Sequence, residues 1–299
     1  MIVAQKVTKT FGTKAAVKDM SCTIPKGCIY GLIGSNGAGK STFLRLITGI
    51  YRPDTGEITI DGQPVYENHA TKAKITFVPD DLYFPGGASM NRMADLYANV
   101  YSSFDRTYFN TMAARLHLDP KKSTGSFSKG MRRQAATILA IATRPDYIFF
   151  DETFDGLDPV VRNMVKNLIS EDVLERQTTV ILTSHSLREL EDTCDQLALL
   201  HMGGVVFESD VQDLQTTSFK VQIAFSEEYE SSKFQEFSIQ DFNKRGSVSN
   251  FIIRGDREEI GNRLRAMNPV LLDVLPLSLE EVFIHEMQAL GYAFDLEVK

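Results

Sequence analysis

The chain has 299 residues, 43% hydrophobic and 24% charged, ordinary values for a globular protein with a sizeable core. Its net charge of −7 is uneven: residues 1–209 hold 23 Lys and Arg against 23 Asp and Glu, and residues 210–299 hold 9 against 16. That balance argues against nucleic-acid binding through bulk positive charge and marks the acidic tail as a separate unit. No apolar run approaches the roughly 20 residues that cross a bilayer. The start, Met1-Ile2-Val3-Ala4-Gln5-Lys6, does not read as a signal peptide. Cys22, Cys28 and Cys194 fit no metal-ligand spacing and read as reduced cytosolic thiols.

Residues 1–30 read as short strands with turns at Phe11-Gly12-Thr13 and Pro25-Lys26-Gly27. A glycine-rich loop follows, and then Phe43, Leu44, Leu46, Ile47 and Ile50 repeat at helical spacing until Arg52-Pro53-Asp54-Thr55-Gly56 ends the helix. Glu57-Ile58-Thr59-Ile60 is a strand closed by Asp61-Gly62, and Lys74 to Pro79 is another. From about Ser89 to Ala142 the chain turns helical, with a second helix starting near Ser128. Tyr147-Ile148-Phe149-Phe150 and Val180-Ile181-Leu182 are apolar on both faces with a helix between them, the pattern of a covered parallel sheet. The tail alternates strands at Lys220–Phe225, Asn250–Arg254 and Val270–Leu275 with helices at Asp256–Met267 and from Ser278, a small α/β unit.

The loop Gly34-Ser35-Asn36-Gly37-Ala38-Gly39-Lys40-Ser41, with Thr42 after it, fits the phosphate-binding pattern G-x-x-x-x-G-K-[ST]. Its glycines let backbone N–H groups converge on phosphate oxygens, and the following helix points its positive end at the same anion. Lys40 supplies a mobile charge for the β- and γ-phosphates, and the Ser41 hydroxyl can ligate Mg²⁺. A buried strand ending in Asp151-Glu152 offers one carboxylate to the magnesium shell and a second to polarise a water. The bland alternative for that pair is a solvated strand end. Ser126-Phe127-Ser128-Lys129-Gly130-Met131-Arg132-Arg133-Gln134 opens a helix with basic residues in its first turn. Such residues oppose the helix dipole, so the arrangement is odd unless that end faces an anion. Thr183-Ser184-His185 ends another buried strand; a lone histidine there is more often structural than catalytic.

In this order, Phe11, GSNGAGKS, SFSKGMRRQ, FFDET, GLDP and TSH resemble the ATP-binding subunit of an ABC transporter, over residues 1 to about 209. The resemblance implies an α/β P-loop NTPase of ABC ATPase type. Its parts would be a RecA-like core, an N-terminal antiparallel β subdomain and a helical subdomain at about 85–145. The ATP-binding domain would cover 1–215 and a small α/β accessory domain 216–299. It implies that Phe11 stacks on adenine and that Gly34 to Thr42 form the Walker A loop for ATP. Asp151 with Ser41 and Asp80 would serve Mg²⁺, and Glu152 and His185 would be catalytic. Ser128, Lys129, Gly130, Met131 and Asp158 would act on a nucleotide held by the opposing subunit. The implied partners are a second ATP-binding subunit, a homodimer before a heterodimer, and an integral membrane permease at the cytoplasmic face of the cell membrane. No nucleic acid is expected.

The SKGM form is similar to subunits of ABC-2-type exporters, and Leu279-Glu280-Glu281-Val282-Phe283 to a segment closing many of them. Two positions depart from the family pattern: Lys129 in the signature, and Asp80 where a glutamine is usual. Lys129 either contacts the phosphate or faces solvent. Asp80 can still sit in a Mg²⁺ shell but adds negative charge beside the triphosphate. With Glu152 and His185 both present, a hydrolysis-competent site is expected rather than a binding-only regulator. A soluble ABC-type ATPase acting on nucleic acid or ribosomes without a permease is the alternative. Relatives of that kind carry a long coiled coil or two cassettes in one chain, and neither is seen here. Leu82 to Met90, rich in aromatics, glycine and methionine, reads either as a groove for a partner helix or as an internal core turn.

Overall fold

The computed structural model describes residues 1–211, 218–278, 280, 281 and 284. The chain forms two compact units, Met1–Glu208 and Ser209–Lys299. The expected boundary at 215/216, most of the expected helix from Ser278 and the similarity segment's Leu279, Val282 and Phe283 lie outside the described residues.

In the first unit, β1 (Ile2–Phe11) and β2 (Lys14–Ile24) form a hairpin around Gly12, whose φ of +59° suits a tight turn. After β3 (Ile29–Ile33) the glycine loop leads into α1 (Lys40–Ile47), and β4 (Thr55–Ile60) and β5 (Gln63–Pro64) follow. The antiparallel sheet runs β2-β1-β4-β5. A short α2 (His69–Lys72) precedes β6 (Ile75–Val78). The helical stretch is α3 (Met90–Val100), α4 (Arg106–Arg115) and α5 (Lys129–Ala142), each capped by a side-chain oxygen, from Ser89, Asp105 and Ser128 in turn.

Next come β7 (Tyr147–Phe150), α6 (Pro159–Arg176), β8 (Thr179–Ser184), α7 (Leu187–Leu190), β9 (Gln196–His201) and β10 (Gly204–Asp210). These strands join β3 and β6 in a six-stranded sheet of order β10-β9-β3-β8-β7-β6, parallel across β9-β3-β8-β7-β6. Every residue of β3, β7 and β8 is buried, because helices or the antiparallel sheet cover both faces. Such a sheet gathers its functional loops at the carboxyl ends of the strands. Here β3 opens into the glycine loop, β6 into Asp80, β7 into Asp151 and β8 into His185.

The segment after β6 divides between its two readings. Ala88 and Met90 are core residues, whereas Tyr83 is 82% exposed.

The second unit adds β11 (Ser218–Ala224), β12 (Ile239–Arg245), β13 (Val248–Arg254), α8 (Arg257–Ala266) and β14 (Leu271–Pro276). Its antiparallel sheet has the order β12-β13-β11-β14. Phe219, Val221, Phe234 and Phe251 pack with Ile260 and Leu264 of α8. Asp256 caps α8, with Glu258 and Glu259 in its first turn and Arg263 and Arg265 in its last, all favourable to the helix dipole. Strand β12 was not expected from the sequence. It is an edge strand whose register slips between Gln240 and Asn243, with Asp241 at φ +51°, so the bulge breaks the apolar alternation.

Candidate functional site

Two glycines of the loop are fixed by close approach. A Cβ on Gly34 would lie 2.5 Å from the Leu200 carbonyl oxygen, and one on Gly39, at φ +109°, would collide with the Ala16 carbonyl. Ala38 is buried, and its N–H donates to the Ser35 carbonyl at 3.0 Å. Helix α1 therefore starts from a glycine with no side-chain cap and no acid in its first turn. Its leading N–H groups stay available to an anion, which the helix dipole favours.

Lys40 is 5% exposed, and its ammonium is held at the loop by the Gly34 carbonyl at 2.6 Å and the Glu152 Oε1 at 3.0 Å. Behind it, Ser41 Oγ donates to Asp151 Oδ1 at 3.0 Å, and Thr183 Oγ1 donates to the same oxygen at 2.8 Å. Burial pushes the Asp151 carboxyl above its usual range; the Thr183 and Ser41 hydrogen bonds oppose that shift, and the neighbouring Glu152 charge adds to it. Glu152 takes the left-handed backbone (φ +44°), rare for a residue with a side chain, and its N–H donates to Thr183 Oγ1 at 2.8 Å. Thr183 thus ties both acids to β8. No role for it was read from the sequence, although its hydroxyl stands two residues before the predicted histidine.

The second Glu152 oxygen lies 3.0 Å from His185 Nδ1. A cavity of about 530 Å³ opens over this edge, lined by Phe11, Asn36, Gly37, Gly39, Lys40, Ser41, Thr42, Asp80, Glu152, Asp155 and His185 among others. Phe11 is 46% exposed and meets Tyr51 edge-on at 5.4 Å. Gly34, Ser35 and Ala38 do not line the cavity, and Asp151 sits behind Ser41.

The expected trans residues Ser128, Lys129, Gly130, Met131 and Asp158 also lie outside that cavity. Ser128 caps α5 by accepting from the Met131 N–H at 3.2 Å, and Asp158 caps α6 by accepting from Val160 and Val161. The basic first turn of α5 does not itself call for an external anion. Arg132 donates to the Phe127 and Gly125 carbonyls, and Arg133 to the Pro79 and Asp80 carbonyls at 3.0 and 3.1 Å. The Lys129 side chain is 60% exposed, and its ammonium lies 3.8 Å from the half-exposed Asp155 carboxylate of its own chain. Arg133 is 1% exposed, and burial lowers its pKa against the pull of Asp80. Its part in the site was not read from the sequence; an arginine entering a helix of Ala, Ile and Leu is the only hint.

A protein-family model described as ABC transporter matches residues 17–155. The ABC transporter ATP-binding protein YtrB of Bacillus subtilis (strain 168) is 33% identical over 284 residues, covering 95% of this chain and 97% of that protein. This chain belongs to the ABC transporter ATP-binding family. It is an ABC-type ATPase. The Nod factor export ATP-binding protein I of Rhizobium sp. (strain N33) is 30% identical over 289 residues, covering 93% of this chain and 94% of that relative. Among solved structures, a dimeric ATP-binding cassette in a post-hydrolysis state bound to ADP and Pi matches with a TM-score of 0.64 at 21% identity, over 71% of this chain and 99% of the other. That likeness agrees with the P-loop ABC ATPase fold described above. Among the described residues, no helix of this ABC subunit is long and apolar enough to cross a membrane.

Proposed function

We propose that this subunit binds Mg²⁺-ATP in the cavity over Lys40, dimerises on it, and drives a separate membrane permease, in the direction of export. The observation that carries this reading is the convergence of Lys40, Ser41, Glu152 and His185 on one cavity, with Asp151 bonded behind Ser41, in a chain of this family. Lys40 already bridges loop carbonyls and Glu152, so an incoming phosphate meets a positioned ammonium. Glu152 would act as general base toward water, with His185 Nδ1 orienting its second oxygen. Phe11 offers a half-exposed ring at the cavity's mouth for the adenine.

The donors suit magnesium. Ser41 Oγ, Asp151 and Asp80 are all oxygen ligands, and among the described residues no three or more His, Cys, Asp or Glu side chains are grouped to hold a metal. Magnesium is held by one or two carboxylates plus substrate phosphates, and it would neutralise charge building on the phosphates. Ser128, Lys129, Gly130, Met131 and Asp158 would reach the nucleotide of the opposing subunit. A head-to-tail homodimer uses both half-sites of one chain twice, and a heterodimer is the other arrangement. Export is supported by the relative named for Nod factor export, and Tyr83 offers an exposed aromatic for a permease contact.

The test is size-exclusion chromatography of Glu152→Gln with and without Mg²⁺-ATP. The variant is expected to run as a dimer only with nucleotide. A variant that binds ATP yet stays monomeric would overturn the dimeric motor.

A further inference from the structure

Resting on the nucleotide site proposed above, we infer that Arg133 competes with the metal for the Asp80 carboxylate and so raises the magnesium concentration the site requires. Three hydrogen bonds leave the Arg133 guanidinium, and they differ in kind. Nη1 donates to the Pro79 carbonyl at 3.0 Å and Nη2 to the Asp80 carbonyl at 3.1 Å, fastening the backbone of the loop after β6 to the N-terminal part of α5. Nη2 also reaches Asp80 Oδ1, at 3.3 Å. The Arg133 side chain is only 2% exposed, whereas the Asp80 side chain is 56% exposed and lines the nucleotide cavity.

The two backbone bonds cannot be given up without moving the loop, but the longer bond to the carboxylate can break by rotation of the Asp80 side chain alone. Among the described residues Asp80 supplies the one carboxylate paired with this buried guanidinium, and its carbonyl partners carry no formal charge. Asp155 and Asp151 act on Arg133 only through space. Asp80 therefore sits at a junction with two claims on one carboxylate: a fixed cation inside the protein and a cation arriving with the nucleotide. A neutral amide at position 80 would feel neither claim strongly. The carboxylate turns an otherwise passive loop residue into one whose metal contact costs an ion pair.

The proposal makes Arg133 a positioning residue with an effect opposite to that of an ordinary structural residue. Removing its charge should tighten magnesium-dependent nucleotide binding, and only while Asp80 is present. The experiment is a Mg²⁺ titration of ADP binding by calorimetry on the full chain, which involves no turnover. It compares wild type, Arg133→Met, Asp80→Asn and the double variant, with Arg133→Lys in both backgrounds to keep charge with altered reach. Arg133→Met is expected to lower the Mg²⁺ concentration at half-saturation about threefold to tenfold, the size of a partly exposed charge-assisted bond. In the Asp80→Asn background the same change should have no effect, and Arg133→Lys should fall between.

An equal shift in both backgrounds, or a higher Mg²⁺ requirement in Arg133→Met, would overturn the proposal. If the Arg133 variants do not fold, a crystal structure of the wild-type chain with Mg²⁺-ADP decides. The carboxylate turned from Arg133 toward the metal or its water supports the proposal, and Asp80 still on Arg133 in the loaded site ends it. Failure of every variant and the wild type to bind ADP would instead remove the nucleotide site itself.

Discussion

Helices α1 and α5 begin in opposite ways. Helix α1 starts from Gly39 with its leading N–H groups uncapped and Lys40 beside them, whereas α5 starts from Ser128, whose own hydroxyl caps it. Lys40 of α1 lines the nucleotide cavity while bonded to the Gly34 carbonyl and Glu152; near α5, Arg132 and Arg133 donate to carbonyls, and none of Lys129, Arg132 and Arg133 lines that cavity. A single subunit is therefore prepared to take an anion at one helix end and not at the other. If both ends serve phosphate, the second does so only after a partner supplies one. Nucleotide affinity and turnover should separate accordingly.

The largest effect is expected at α1. Lys40→Ala removes the buried ammonium and leaves Glu152 without its cation. Affinity for Mg²⁺-ADP should fall about 10- to 100-fold, the worth of a lost charge-assisted contact to phosphate. Calorimetry on a variant with an intact thermal transition measures it, and unchanged affinity would erase the contrast between the helices.

Ser128→Ala sharpens the comparison from the other side. Losing the cap should cost roughly 1 kcal/mol of stability, read from a denaturant midpoint. Monomer affinity for ADP should stay within about twofold, because the site lies elsewhere. If Ser128 reaches the opposing subunit's phosphate as proposed, steady-state ATP hydrolysis should nevertheless fall at least about tenfold, the worth of a preorganised donor. A drop in monomer affinity equal to the drop in turnover would place α5 in the same half-site as α1.

The difference between the helices also explains what the sequence could disclose. The glycine loop was legible because close backbone approach and an uncapped helix permit few residue types, and Gly34 and Gly39 are held by collisions with Leu200 and Ala16 carbonyls. The buried strands before Asp151 and His185 were legible because each carries a run of three or four apolar residues, Tyr147–Phe150 and Val180–Leu182, that coverage on both faces requires. What escaped were contacts between segments far apart in the chain: Thr183 on Asp151, Arg133 on the Asp80 loop, Lys129 on Asp155. A basic turn opening a helix looks the same whether it waits for a phosphate or donates to its own carbonyls. Strand β12 was lost for a local reason, a bulge that spoils its alternation.

The smallest expected effect lies at the helical stretch that carries α5. Asp105 caps α4 by accepting from the Tyr108 N–H at 2.8 Å, and its other oxygen holds Arg144, just beyond the end of α5, at 2.8 Å. The Tyr108 N–H and the Arg144 guanidinium together hold its carboxyl below the usual range. A depressed folded-state pKa means that the stabilisation is present at neutral pH and fades as acidity passes the ordinary carboxylate value, about 4, toward the folded one. Asp105→Asn keeps an oxygen for the cap but loses the charge. It should therefore cost about 0.5–1 kcal/mol at pH 7, a figure already reduced for water's screening of a partly exposed pair. In urea unfolding the gap to wild type should narrow steadily below about pH 4. Nucleotide affinity should not change, since Asp105 does not line the cavity. A stability gap that persisted in acid would mean that the amide fails as a cap for reasons other than charge and that the Arg144 pair adds little, so that the α4 start, like that of α5, would rest on a neutral cap.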